Sequence, residues 1–541
     1  MAENSFHSTS PDAYILFFPY LQEQTKSAEP YSDKYLETQV VEVKSELISV
    51  TTSKSKGGAG SWSCVVGSNI NYKALIHPGC WCLIYISDEQ IDRVETGTSG
   101  SKSGLKMMGV VRSVRTIESL SGSTGTKTVR YEFAGIDFHS VLENQVYVNR
   151  VILGQNDGLK DALAIFKELQ LKPLKPDEAV RAIINAVLGN SESIENTLNK
   201  AVVTAGGAYA IPPQVATAAF GSPSKGNKFI NSMNLLLYPK LIGQVAFQPD
   251  LGGMFSCWSL VQSYSHPLLN ETYTELIPDK SGKLRPTVVM RPIPFSSPKS
   301  SGRMNSLSSI YEGKDVRIDN LPTLSMMDGT GKRSTNDVTP EKGSAFYTSK
   351  NIHEHEILSL NYGKSDAERF NFFYVVSAKA IAEGLDGVKL WELTRSSSIA
   401  KLGDPNSIAR HGLRPYITQS EYLTLDVDIA QVNIVARDLW SRAYLFENGI
   451  VSIAGSKEHI PVGTNIKFAD RGWVAHVEQV NHSYSVNPGG DKSFMTTIAF
   501  VRLQTTSGEP IDVVNRKQPN HEWDRGVTHS LSNSATNKVK K

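Results

Sequence analysis

Val129-Arg130-Tyr131-Glu132-Phe133-Ala134 places apolar residues at every second position, the period of a strand that buries one face and wets the other. Val41, Val43, Ser45 and Leu47 alternate in the same way with Glu42, Lys44 and Glu46, so a second half-buried strand is expected over 41–47. Stretches rich in Gly, Ser and Thr at 56–61, 96–106 and 119–127 separate such runs. Short alternating strands punctuated in this way are the pattern of a barrel or sandwich, and the stretches themselves read as flexible hairpin tips. The first 150 residues are expected to be β throughout.

The period then changes. Leu159, Ala162, Leu163, Phe166 and Leu169 lie at helical spacing, and Val180, Ile183, Ile184, Val187 and Leu188 repeat it. Pro173 and Pro176 separate the two expected helices; Asp177 and Glu178 suit the second helix's positive end, and Gly189 stands where a C-terminal cap belongs. The stretch 202–245, with Pro212, Pro213, Pro223 and Pro239, shows no clear period. Residues 296–350 are dense in Ser, Gly, Lys and Asp and read as a long surface insertion. A second strand-rich block follows from about 416 to 503, and 505–541 lacks apolar periodicity.

Composition limits what the chain does. Its 541 residues suffice for several domains with real cores. Lys and Arg number 56 against 54 Asp and Glu, and no window carries the basic run with interleaved aromatics that a phosphate backbone demands, so no specific nucleic-acid reading is expected. The four cysteines are too few for a disulfide framework. Cys80 and Cys82 fall on one strand face and Cys64 and Cys257 are isolated, so buried apolar thiols are expected in place of a zinc site. The first apolar run, 14–21, is too short for a bilayer and is broken by Pro19, so neither a secretion signal nor membrane insertion is expected.

Motifs that carry chemistry occur only in incomplete form. His353-Glu354-His355-Glu356 lacks the i, i+4 histidine spacing of a zinc-protease helix and reads as a solvated approach to a strand. Gly363-Lys364-Ser365 mimics the end of a phosphate loop, but Leu358 occupies the position of its first glycine. No Gly-x-Ser-x-Gly elbow and no Gly-x-Gly-x-x-Gly turn occurs. No catalytic, cofactor-binding or metal-ligating residue is nominated, no cofactor is expected, and the chain is not read as an enzyme.

Three stretches, taken together, resemble the baseplate or tail hub proteins of phages with contractile tails, a family related to the hub portion of type VI secretion spike proteins. The first is Asn270-Glu271-Thr272-Tyr273-Thr274-Glu275-Leu276, a charged turn at 279–283, and Pro286-Thr287-Val288-Val289-Met290-Arg291-Pro292-Ile293-Pro294-Phe295. It is similar to the family's strand, turn and strand ending in Arg-Pro-x-Pro-Phe, and Arg291 and Phe295 are expected to make structural contacts. The second, Ala409-Arg410-His411-Gly412-Leu413-Arg414-Pro415, resembles the step into the family's second tube-like domain. The third runs through Leu439-Trp440, Asn448–Gly455, 460–466, 477–484 and 498–503, in the order of the family's closing barrel.

The resemblance implies a mainly β fold with a minor helical part, two tube-like β-barrel domains plus inserted domains. It divides the chain into a first barrel at 1–150, a helical and irregular segment at 151–245, a middle mixed domain at 246–415 with its loop insertion at 296–350, a second barrel at 416–504 and a polar tail at 505–541. It implies a structural hub in a virion tail baseplate, assembled in the host cytoplasm: a homotrimer joining a hexameric tail tube protein to a trimeric central spike protein, touching other baseplate subunits and tape-measure protein, and leaving a channel for DNA ejection. The alternatives are a tail-associated cell-wall hydrolase and a receptor-binding tail tip.

Overall fold

The computed structural model describes residues 10–23, 32–35, 40–91, 104–120, 127–144, 146–148, 180, 215, 218–219, 234–237, 254–265, 270–278, 284–292, 325–327, 348–377, 405–420, 440, 443–506 and 510–511. These are mostly β, as the alternating patterns require. Apart from buried Val180, the helices expected within 157–201 lie outside the described residues, as do most of the 296–350 insertion and most of the polar tail.

A first group of strands comprises β1 (Asp12–Phe18), β2 (Tyr20–Glu23), β3 (Ser32–Tyr35), β4 (Val41–Val43), β5 (Leu47–Ser55), β6 (Ser61–Val66), β7 (Trp81–Ser87), β8 (Leu105–Leu120) and β9 (Lys127–Asp137), with the one-turn helix α1 (Tyr72–Leu75) before β7. β2 and β3 form their own hairpin. The others pair antiparallel in the order β5-β6-β9-β8-β7-β1-β4. The single strand expected over 41–47 is two strands, because a turn at Lys44-Ser45-Glu46 closes with the Leu47 N–H donating to the Lys44 carbonyl at 3.2 Å. That turn joins the two ends of the path. β4 and β5 are halves of one bent strand, so the chain itself closes the sheet into a barrel.

Inside lie Ile15, Phe17, Val50, Cys64, Cys82, Ile84 and Phe133. β1 and β7 are also covered outside, where Tyr14 and Tyr85 stack at 4.5 Å between ring centres. That double burial explains the unbroken apolar run Trp81-Cys82-Leu83-Ile84-Tyr85-Ile86, which carries no alternation.

The middle of the chain adds α2 (Ser140–Asn144), β10 (Val146–Val148), β11 (Asn234–Leu237), β12 (Met254–Ser256), α3 (Cys257–Tyr264), β13 (Asn270–Pro278), β14 (Leu284–Pro292) and β15 (Ser325–Met327). Ser256 starts α3 by accepting the Ser259 N–H at 3.0 Å. The strands expected at 270–276 and 286–295 are β13 and β14, in antiparallel register from Asn270↔Pro292 to Pro278↔Leu284. The side chain of Arg291, and Phe295 altogether, lie outside the described residues.

The remaining elements are β16 (Thr348–Ile352), β17 (Ile357–Gly363), β18 (Phe372–Ser377), α4 (Pro405–His411), β19 (Pro415–Ser420), β20 (Glu447–Ala454), β21 (Asn465–Phe468), β22 (Trp473–Val486) and β23 (Lys492–Thr505). Proline opens α4, where no N–H is needed, and Gly412 closes it at φ 75° with its N–H on the Ile408 carbonyl at 2.9 Å. After Pro415 the chain does not yet supply a strand to the large sheet: β19 lies parallel to β18. The second group instead begins at β16 and β17, which fall in the stretch expected to be the middle domain. Its order is β17-β20-β23-β22-β21-β16. Again the two end strands are successive pieces of one chain, bent here at a short 3-10 helix over Glu354–Glu356.

The two groups repeat one plan. β5-β6-β9-β8-β7 in the first matches β17-β20-β23-β22-β21 in the second, strand for strand and in the same chain order. β1, inserted between β7 and β4, has no counterpart, and β16 therefore pairs directly and in parallel with β21.

Candidate assembly site

The repeat extends to single residues. The register slips between Leu47 and Ser49 on β5, and between Ile357 and Ser359 on β17. It slips between Val111 and Ser113 on β8, and between Val477 and Gln479 on β22. Bulges at matching places give matching bends. The packing is also matched, with donor and recipient exchanged. Trp62 on β6 lies over Gly135 on β9, whose Cβ would come within 2.8 Å of the indole; on the equivalent pair Phe500 of β23 lies over Gly449 of β20, again at 2.8 Å.

The groups meet where the second half of β22 leaves β21 and pairs with the outer edge of β5, from Gln479↔Ser55 to Ser485↔Ser49. One thirteen-stranded sheet results among the described residues. Val50, Thr52 and Lys54 from β5, and Val480, His482 and Tyr484 from β22, are buried there.

Three lysines tie this junction to its surroundings. Lys54 forms an ion pair with Asp137 and donates to Thr274 Oγ1 of β13 at 3.0 Å. Burial pushes the Asp137 carboxyl up, against the pull of Lys54. His139 Nδ1 lies 3.0 Å from the same Thr274 hydroxyl, and burial next to Lys54 draws this imidazole down to about 3. Lys56 bridges Glu271 of β13, at 2.8 Å, and Glu478 of β22. Its N–H also donates to the Glu478 carbonyl at 2.9 Å. The stretch 56–61, expected as a flexible tip, is thus anchored at its start, and again at buried Gly60, whose carbonyl accepts the Asp137 N–H at 2.9 Å. The sequence pattern missed this because every partner is remote in the chain.

Lys106 is fully enclosed and donates to the Ser456 and Glu458 carbonyls at 2.6 and 2.5 Å; burial draws its amine down to about 7. Glu275 of β13 accepts the Val462 N–H at 2.8 Å and faces His459 Nε2 at 3.3 Å. Burial also pulls His482 well below the usual imidazole range. The void these groups surround holds about 20 Å³, the room of one water molecule. The side chains around it are engaged with other parts of the same chain.

The residues singled out in the sequence fall elsewhere. His353 to Glu356 form the bend between β16 and β17, with the Glu354 N–H on Asp470 at 2.8 Å and Arg471 on the Glu354 carboxylate. Lys364 lies 3.9 Å from Glu447, just past the end of β17. Cys64, Cys80, Cys82 and Cys257 are buried and form no disulfide, and burial raises Cys64, Cys82 and Cys257 above the ordinary thiol range. Among the described residues no group of three or more His, Cys, Asp or Glu is placed to hold a metal ion, and no helix is long and apolar enough to cross a membrane.

Fold and site define a class: a β protein built twice on one strand plan and fused edge to edge. No protein-family description and no curated protein matches the chain. Among solved structures it is similar to a tail protein of Neisseria meningitidis MC58, at 9% identity and TM-score 0.40 over 91% of this chain and 97% of that one. It is also similar to the 43 kDa tail protein of prophage MuSo2 from Shewanella oneidensis, at 10% identity and TM-score 0.40 over 90% and 98%. A third likeness is to a component of the Escherichia coli type VI secretion system described as similar to bacteriophage T4 tail proteins, at 8% identity and TM-score 0.35 over 85% and 74%.

Proposed function

We propose that this chain is the structural hub of a phage-type tail, a trimeric adapter between a hexameric tail tube and a trimeric central spike. The observation that carries the reading is the repeated strand order of the two groups and their fusion through β5 and β22. A chain carrying two like barrels side by side presents six in a ring of three, which turns three-fold into quasi-six-fold symmetry. The barrel groups 1–150 and 416–504, the latter taking in β16 and β17, form the ring, and the segments between them face spike and baseplate neighbours. The near-balance of 56 basic and 54 acidic residues suits a channel through which DNA slides without adhering. The junction's buried ion pairs and water-sized void support a mechanical role over a catalytic one.

Light scattering on the full chain, alone and with its spike, tests the reading. A particle of three times the 59.4 kDa chain mass, with six lobes in projection down its axis, is expected. A particle that stays monomeric in both conditions overturns it.

A further inference from the structure

Among the described residues, two of the open strand edges belong to equivalent places in the repeat. β8 pairs with β9 along 109–120, but with β7 only along 105–110, so from Ser113 onward its other edge has no strand partner among the described residues. β17 pairs with β20 on one edge and with no described strand on the other. By the repeat, β8 beyond its bulge is the counterpart of β22 beyond its own, and β17 is the counterpart of β5. The two open edges therefore correspond to the two edges that form the seam within the chain. Each carries exposed apolar side chains among polar ones: Ile117 and Leu120, 40% and 75% exposed, beside Arg115 and Glu118 on β8, and Leu358 and Tyr362, 62% and 38% exposed, beside Ser359 and Asn361 on β17. Long edges bearing exposed apolar side chains attract further strands unless they are covered.

We propose that β8 of one copy pairs antiparallel with β17 of a second copy, repeating between chains the seam that β22 and β5 make within one. The internal register fixes the external one. Ser483↔Thr51 and His482↔Thr52 translate, through the matched bulges, into Ile117 opposite Asn361 and Thr116 opposite Tyr362. The occupant is a second copy because the complementary edge lies on this same chain at the equivalent place. The contact is head to tail, so it propagates from copy to copy, and the ring of three in the hub reading is where it closes. This inference deepens the hub reading, from which it takes the ring's size, while the strand pairing comes from the internal repeat.

Paired cysteines in the full chain test it. Adjacent cross-strand pairs alternate between wide and close spacing, so either Ile117→Cys with Asn361→Cys or Thr116→Cys with Tyr362→Cys brings its thiols within disulfide reach. On mild oxidation, at least one pair is expected to convert the monomer band into covalent dimer and trimer on non-reducing gels. Ile117→Cys with Leu358→Cys, about 10 Å out of register at ~3.3 Å per residue, should leave the monomer unchanged. The substituted positions are exposed, and the native thiols are buried and silent. Oligomer by light scattering without in-register cross-linking, or equal cross-linking of the control, overturns the seam and leaves the hub reading standing. A chain that stays monomeric, with its spike present and without cross-links, overturns both.

Discussion

Gly135 shows how narrowly single positions are set. A Cβ there would lie 2.0 Å from the Val110 carbonyl oxygen and 2.8 Å from the Trp62 ring, whereas one on Gly57 meets nothing within 4 Å. Gly135→Ala should lower stability by about 1–3 kcal/mol, the ordinary cost of overpacking, and Gly57→Ala should leave the urea midpoint in place. Lys106 sets a pH dependence. Its folded amine titrates at about 7 against an ordinary 10.5, so between these values the unfolded chain holds a proton that the folded chain has released. Stability through this group therefore rises with pH across that window, by up to about 1.4 kcal/mol per pH unit, and the full penalty of burying the charge applies below it. The stability difference between wild type and Lys106→Met, from urea unfolding at pH 7, 8 and 9, should change with that slope; a constant difference would falsify the assignment. Neither position is legible in the sequence. Lys106 finds Ser456 and Glu458 some 350 residues away, and Gly135 is required by a tryptophan on another strand. The cysteines were legible, because Cys80 and Cys82 two apart in an apolar strand can only face one interior.

Among elements, β13 reaches both strand groups. It lies across the junction of the two strand groups, with Glu271 held by Lys56, Thr274 by Lys54 and Glu275 by Val462. Removing Lys56 leaves Glu271 and Glu478 without this shared cation in a partly buried place. Lys56→Met should cost roughly 1–3 kcal/mol, with proteolysis appearing first at the junction. β9 and the β13–β14 pair were readable from alternation and from the Asn270 to Pro292 motif. β16 and β17 were not, because Ile357-Leu358-Ser359-Leu360 shows no period of two. On β17, Leu358 points outward at an open edge, so the pattern that marks a strand with one dry face is missing. The bend at Lys44 to Glu46 was hidden for the converse reason: alternation continues through it although the strand changes partner there.

For the whole molecule, β content and two strand-rich blocks could be read from periodicity, whereas their equivalence could not. Equivalent strands share few residues: Trp62 matches Gly449, and Gly135 matches Phe500. What they share is where the register slips and which neighbour each strand takes, and both belong to the folded chain. The seam between the blocks also has a mechanical consequence. Seven residue pairs run side by side from Gln479↔Ser55 to Ser485↔Ser49, so a pull parallel to these strands loads their hydrogen bonds all at once, and a pull across them opens the bonds one by one. The chain should therefore resist a pull along these strands far better than sideways peeling, so its two halves come apart by unzipping more readily than by shear.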